Sequence, residues 1–370
     1  MKILFVGDYS NLHATLAREL RRMGHQADVL SDGCEHMNVH SDFYLKRDPG
    51  IIGGFKYLYN LFELLPKLKG YDVVQIINTN FLNLRPPKIK YFYQRLKEQN
   101  HSMFMSIAGT DYFYAKACYD GKLFRFNEFK EGNKFTKGHL EDPGHLFGWM
   151  ANQNRYLSEF IYSDITGAMA VLPEYHMVSK EILGDKVAFT NLPIDFSELP
   201  RIEDDHNENK DKIKLFVGIR TIAETFKGTK YLSGLAKEIE NEIPELVTTE
   251  IVRDLTFRDY LDKMKDADIV LDQLYAYSPA MNALYGMSLG KAVGTGAQPE
   301  YYEYLGNPEI KPLIALSPLD TDLKERLIDL IKDRDKIKLM GQQSRNLALT
   351  HNASPIVAKR YLDHWNKLLG

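Results

Sequence analysis

Lys2-Ile-Leu-Phe-Val6-Gly7-Asp8-Tyr9-Ser10-Asn11, followed by Leu12, Leu16, Leu20 and Met23 at helical spacing, then Gly24 and Ala27-Asp-Val-Leu30, decides the fold. Lys2–Val6 is a short apolar run of the kind buried inside parallel sheets. Gly7–Asn11 is a polar loop. The leucines form one apolar stripe, Arg18, Glu19, Arg21 and Arg22 lie elsewhere on the helix, and Gly24 is placed to end it. Ala27–Leu30 opens a second strand. Strand, helix and strand at this spacing make a right-handed parallel βαβ unit.

The alternation continues outward from there. Further strands are expected at Val73–Ile77, Met103–Ile107, Ala168–Leu172 and Val187–Phe189, while 112–160 reads as helices and long loops. Residues 201–212 are the most polar run in the chain and have almost nothing to bury, so they are expected to be a linker. The pattern then restarts. Strands are expected at Ile213–Val217, Thr248–Val252, Asp268–Leu271, Ala292–Gly294 and Leu313–Leu316. Helices are expected near 229–243, 257–265, 280–289, 299–305 and 320–333, with a last one starting at Ser354-Pro355. The expected architecture is α/β, with two doubly wound domains at 1–200 and 213–353 facing across a cleft.

Composition agrees with two soluble domains. A chain of 370 residues fits about two domains at roughly 150 residues each. With 47 Lys+Arg against 50 Asp+Glu, the net charge is −3, which argues against a nucleic-acid binder relying on a global field. Two cysteines, Cys34 and Cys118, give neither a disulfide framework nor a metal spacing, so a reducing compartment is expected. The first apolar run is too short for a signal-peptide core, and no run reaches the roughly 20 residues that span a bilayer. The expected location is cytoplasmic. Locally, residues 51–100 carry eight Lys+Arg against three Asp+Glu, and 55–69 and 88–97 mix basic with aromatic side chains. Either these helices pack an apolar face on the sheet, or they give peripheral contact with the inner face of a membrane.

Three strand ends carry the chemistry-bearing residues. Leu215-Phe-Val-Gly218-Ile-Arg220 delivers Gly218 and Arg220 to the carboxyl edge of a sheet, where open α/β folds bind ligands. Lys227-Gly228-Thr229 follows just before a helix. A planar guanidinium and an ammonium converging beside a helix start suit a diphosphate; otherwise they are solvated loop charges. The second end runs from Asp272 through Tyr275, Tyr277, Pro279, Asn282, Tyr285, Gly290-Lys291-Ala-Val293 and Gly294-Thr295-Gly296 to Glu300. Its glycines either let backbone amides approach a ligand or supply the dihedrals of a tight turn. The third is Ser106-Ile-Ala-Gly109-Thr110-Asp111, where Asp111 orients a hydroxyl, caps a helix, or does both.

Together these segments resemble glycosyltransferases of the two-domain GT-B fold, especially the large retaining group called family four, over nearly the whole length. Gly218, Arg220 and Lys227-Gly228 resemble that group's donor-phosphate elements. Ala267-Asp268-Ile-Val-Leu, Gly290-Lys291-Ala-Val293 and Pro299-Glu300 resemble its strand, Gly-Lys-Pro-Val and Pro-Glu signatures. Ala108-Gly109-Thr110-Asp111 resembles its His-Gly-Thr-Asp loop, and Asn191-Leu-Pro-Ile-Asp195 its Asn-Gly-Val-Asp. Three departures stand out. Tyr277 and Tyr285 occupy the family's paired glutamates, which contact the sugar and the ribose, Ala108 replaces the loop histidine, and Arg220 sits one residue later than usual.

The resemblance implies a hexosyltransferase-like enzyme of surface polysaccharide or glycan biosynthesis. It would move a sugar from a nucleoside diphosphate sugar to a hydroxyl on a glycan or lipid-linked acceptor, with retention. It would need no cofactor or metal, the donor being a substrate. Arg220, Lys227 and Asp111 are the expected catalytic residues. The donor is expected to meet Gly218, Arg220, Lys227, Tyr277, Asn282, Tyr285, Gly294, Thr295, Gly296 and Glu300, and the acceptor Gly7, Asp8, Tyr9, Ser10, Asn11, Gly109, Thr110 and Asp111. The helix 354–370 is expected to return to the first domain. The alternatives are a weak or inactive sugar- or nucleotide-binding protein on the same fold, and a nucleotide-sugar epimerase. No Gly-x-Ser-x-Gly, Gly-x-Gly-x-x-Gly or P-loop is present, and none of the 11 histidines has an obvious ligand partner. Asp320-Thr-Asp322 is expected to cap a helix rather than hold a metal.

Overall fold

A computed structural model describes residues 1–33, 41–200 and 211–370. Met1–Lys116, Leu146–Pro193 and Ser354–Gly370 form one unit, and Ala117–His145 with Ile194–Ala353 form a second. The first unit is built on β1 (Lys2–Val6), β2 (Gln26–Ser31), β3 (Phe43–Tyr44), β4 (Val73–Ile76), β5 (Met103–Ile107), β6 (Gly167–Ala170) and β7 (Val187–Phe189). These strands are parallel, in the order β3-β2-β1-β4-β5-β6-β7. Every residue of β4, β5 and β6 is buried, which explains their mainly apolar runs; the two polar exceptions, Gln75 and Ser106, are hydrogen-bonded to each other. Strand order reverses between β1 and β4, the position at which such sheets open a crevice at their carboxyl ends.

The helix Ser354–Leu369 completes this unit. The Ser354 hydroxyl donates to Glu19 at 2.9 Å, and the fully buried Trp365 indole donates to Gln75 on β4 at 3.0 Å. The Tyr361 hydroxyl lies 3.2 Å from Ser106 Oγ on β5.

The second unit carries β8 (Ile213–Ile219), β9 (Val247–Arg253), β10 (Ile269–Leu271), β11 (Ala292–Thr295) and β12 (Ile314–Ala315), all parallel, in the order β9-β8-β10-β11-β12. Its core joins Leu215, Val217, Ile269 and Leu271 to Leu235, Ile239, Leu327 and Ile331 from the helices. Here the order reverses between β8 and β10, so the loops after these two strands share the switch point.

The structure corrects several expectations. Residues 117–145 belong to the second unit, not to a first domain running from 1 to 200. Their aromatic side chains find partners there: Phe124 and Phe126 on Tyr277, and Phe129 and His145 on Phe226. The stretch also contains a short hairpin, Lys130–Glu131 with Lys134–Phe135. The expected linker falls almost wholly outside the described residues; of it, Asp211 and Lys212 are exposed. β6 ends at Ala170 rather than Leu172, because Pro173 starts the next helix. The helix expected from 320 begins at Leu323. Asp320 and Asp322 do not cap it with their side chains; they face Arg326 at 2.8 and 3.5 Å. The helix Arg334–Asn352 is an addition that the sequence reading did not include.

Candidate functional site

At the switch point of the second unit, β8 ends at Ile219 and hands Arg220 to a short 3-10 turn, Thr221–Ala223. Arg220 is exposed and Lys227 half-buried. Among the described residues neither side chain makes an ion pair or a hydrogen bond. Gly228 then caps the helix Thr229–Glu242 at φ +71, with no side chain bonding its first amides. A left-handed cap favours glycine, and here a Cβ would also press on Leu274 Cβ at 2.7 Å.

Asp272 stands directly after β10 at the same edge. It is buried, accepts from Thr295 Oγ1 at 3.4 Å, and is hydrogen-bonded by the Asn282 side chain. Burial raises its carboxyl above the ordinary range, while the Lys227 charge, Thr295, Asn282 and the Ala283 amide pull it down. Asp272 therefore joins Asn282 and Thr295 in one polar cluster that feels the Lys227 charge. Sequence reasoning gave it no role; the available signal was an acidic residue placed immediately after a fully apolar strand.

Other expected donor residues turn out to hold the unit together. The buried Tyr277 accepts the backbone amide of Arg125 at 2.6 Å and stacks on Phe126, with ring centroids 4.9 Å apart. Glu300 faces Arg125 Nη2 with both oxygens, at 3.0 and 2.9 Å. Arg125 thus occupies two positions that the sequence assigned to donor contacts, and nothing local in the sequence marked it. Tyr285 is buried with its ring 5.0 Å from Phe257, so it sits in the packing of the helix Met281–Ser288.

The glycines are explained by space rather than by turn dihedrals. A Cβ on Gly218 would collide with the Tyr260 ring, 2.7 Å from Cζ. On Gly294 it would lie 2.8 Å from Leu271 Cδ2, and on Gly296 2.6 Å from the Ala276 carbonyl carbon. Neither Gly294 nor Gly296 is among the residues with positive φ.

In the first unit, the loops after β1 and β5 carry the expected acceptor residues. Gly7 has φ +79, and a Cβ there would meet Phe81 O at 3.0 Å. Asp8 is buried; its two oxygens accept the amides of His13 and Ala14, each at 3.0 Å, so it caps the helix Leu12–Arg22. Burial pushes its carboxyl up to about 6 against the pull of these amides and of Arg18. Ser10 and Asn11 have φ +53 and +66. The Asn11 side chain does not bond the first turn, and its Oδ1 is buried without a hydrogen-bond partner. Tyr9 stands over Gly109, 3.6 Å from where a Cβ would be, and donates to Asn80 O at 3.3 Å. Gly109 and Thr110 are half-buried. Asp111 is buried and engaged at both oxygens, by the Tyr114 amide at 2.9 Å and the Tyr162 hydroxyl at 2.6 Å. Of the roles read from sequence, the helix cap is the one these bonds display.

Beneath this edge the neutral His13 donates from Nδ1 to Gly7 O at 2.6 Å and accepts the Ser106 hydroxyl at Nε2, 2.9 Å away. Burial lowers its pKa to about 3. Gln75 also donates to Ser106, at 3.0 Å. This chain of bonds fixes the Gly7 loop on β4 and β5. Among the described residues no group of three or more His, Cys, Asp or Glu is arranged to hold a metal.

No family model matches the chain, and no curated protein matches it. Solved structures do. Sucrose-phosphate synthase from Thermosynechococcus elongatus aligns with a TM-score of 0.64 at 11% identity, covering 100% of this chain and 99% of that one. WaaG, a glycosyltransferase involved in lipopolysaccharide biosynthesis, aligns at 0.60 and 12%, covering 97% and 98%. UDP-GlcNAc 2-epimerase from Neisseria meningitidis, bound to UDP-GlcNAc, aligns at 0.53 and 15%, covering 99% and 100%. The chain has the GT-B fold of two Rossmann-like domains.

Proposed function

We propose that the chain is a glycosyltransferase that moves a sugar from a nucleoside diphosphate to a hydroxyl acceptor. The observation that carries this reading is the pair Arg220 and Lys227. Two cations without ion-pair partners stand at the switch point of the second unit, beside a helix start that no side chain caps. A planar guanidinium can grip two phosphate oxygens, and the ammonium adds a point charge. Both would stabilise the negative charge that grows on the departing diphosphate, so the reaction would need neither a metal nor a cofactor. Asp272 would hold Asn282 and Thr295 in place and set the field around Lys227. The resemblance adds retention of configuration. It also favours a glycan or lipid-linked acceptor, met by the Gly7–Asn11 and Gly109–Thr110 loops, in surface polysaccharide biosynthesis.

Tyr277 and Tyr285 favour a second reading. Both fill family carboxylate positions with buried packing residues, as a protein that binds nucleotide sugars with little or no turnover would allow. Incubation with UDP-, GDP- and ADP-sugars in the absence of acceptor separates the readings. Slow release of free sugar supports the transferase, an epimerised donor supports an epimerase, and an intact but bound donor supports the binding protein.

A further inference from the structure

The helix Gly50–Leu64 has two apolar faces. Gly53, Tyr57 and Leu61, four residues apart, are buried in the first unit. Ile51, Ile52, Phe55, Tyr59 and Phe62 form the other face and are exposed by 80, 84, 70, 65 and 48%. The exposed face continues across Phe62 to the exposed Tyr91 on the helix Pro86–Glu98, ring centroids 6.1 Å apart. Isolated exposed apolar residues are ordinary, but a contiguous set of this size on one surface marks an interaction site.

The surroundings of the patch identify the partner. Beside it runs a groove of about 380 Å³ in which Ile51, Phe55, Leu58 and Leu84 meet Arg47, Arg85 and Lys88. Arg47 is anchored to Asn83 at 3.2 Å, with its guanidinium lying against Gly54. The cations are local: residues 51–100 carry a net +5, eight minus three, in a chain whose net charge is −3. No helix among the described residues is long and apolar enough to cross a membrane. Apolar side chains projecting from one helix face, flanked by cations, fit the interfacial region of an anionic bilayer. The side chains would enter the acyl boundary while the cations meet lipid phosphates.

We propose that this surface docks the protein onto an anionic lipid bilayer. The proposal is independent of the sugar chemistry, because it is read by binding alone. If the transferase reading also holds, docking would bring the first unit to lipid-linked acceptors.

The test is co-sedimentation of the full chain with vesicles of phosphatidylcholine alone and of phosphatidylcholine with 30% phosphatidylglycerol (a composition on the order of natural anionic content). Binding is expected to the anionic vesicles only, and to fall with salt. Ile51→Ser with Phe55→Ser is expected to abolish it. Arg85→Gln with Lys88→Gln is expected to weaken it by roughly fivefold per cation, the scale of a surface cation at an anionic leaflet. All four positions are exposed or line the open groove, so thermal unfolding of the variants should match that of the parent. Absence of binding to anionic vesicles overturns the proposal, as does unchanged binding by both double variants. A parent dimer that the Ile51→Ser, Phe55→Ser chain loses, with no vesicle binding, also overturns it and assigns the face to a second copy.

Discussion

The Tyr277 hydroxyl accepts the backbone amide of Arg125 from 2.6 Å, although the two residues are 152 positions apart. The same arginine reaches Glu300, so a residue from the middle of the chain closes over a segment expected to face the donor. This contact is one of those that tie 117–145 into the second unit, and it gives Tyr277 a structural role there.

Tyr277→Phe removes the acceptor while keeping the ring on Phe126. A partly buried amide left without its partner should cost about 1–3 kcal/mol, read by urea unfolding. Unchanged stability would mean that stacking alone holds the segment.

Much of the fold was legible because buried strands leave short, mainly apolar runs and helices leave apolar stripes. Met103–Ile107, Val187–Phe189 and the helix Phe257–Lys265 have the boundaries read from sequence. The helix Arg334–Asn352 was hidden because its buried line includes Gly341, Ser344 and Ala348, which carry no apolar periodicity. Gly341 is needed there for close approach: a Cβ would lie 2.9 Å from the Gly290 carbonyl carbon. At the site, the residue types at each strand end were visible. Whether a glycine makes room for a ligand or for a neighbour such as Tyr260 is a long-range property that spacing does not encode.

Gly218→Ala tests that distinction. The added methyl must push the Tyr260 ring, and overpacking of this kind costs about 1–3 kcal/mol. Tyr260→Leu in the same chain should recover part of the loss, giving a non-additive cycle. Full additivity in denaturant unfolding would separate the glycine from Tyr260.

His13 sets an acid limit on the first unit. Its folded pKa lies near 3, below the ordinary 6.5, so the folded state favours the neutral ring. Stability from this group is fully present above about pH 6.5 and is lost as pH falls toward 3. The shift corresponds to roughly 4–5 kcal/mol over that window. Asp8 acts in the opposite sense: its carboxyl, raised to about 6, penalises folding as pH rises from about 3.8 to 6. Titration of the His13 Hε1 resonance should show no protonation between pH 7 and 5. A midpoint near 6.5 would contradict the buried network.

Turnover should persist in excess EDTA, because Arg220 and Lys227 supply the charge that would otherwise come from a metal. Loss of activity that Mg²⁺ or Mn²⁺ restores would reject this mechanism.

The central claim is that Arg220 and Lys227 hold a diphosphate, and isothermal calorimetry with nucleoside diphosphates tests it most directly. Arg220→Ala and Lys227→Ala should each weaken binding by about 1.5–3 kcal/mol, roughly 10- to 150-fold, and Arg220→Ala should leave unfolding unchanged because its side chain is exposed. Affinity equal to that of the parent in both variants would contradict the claim.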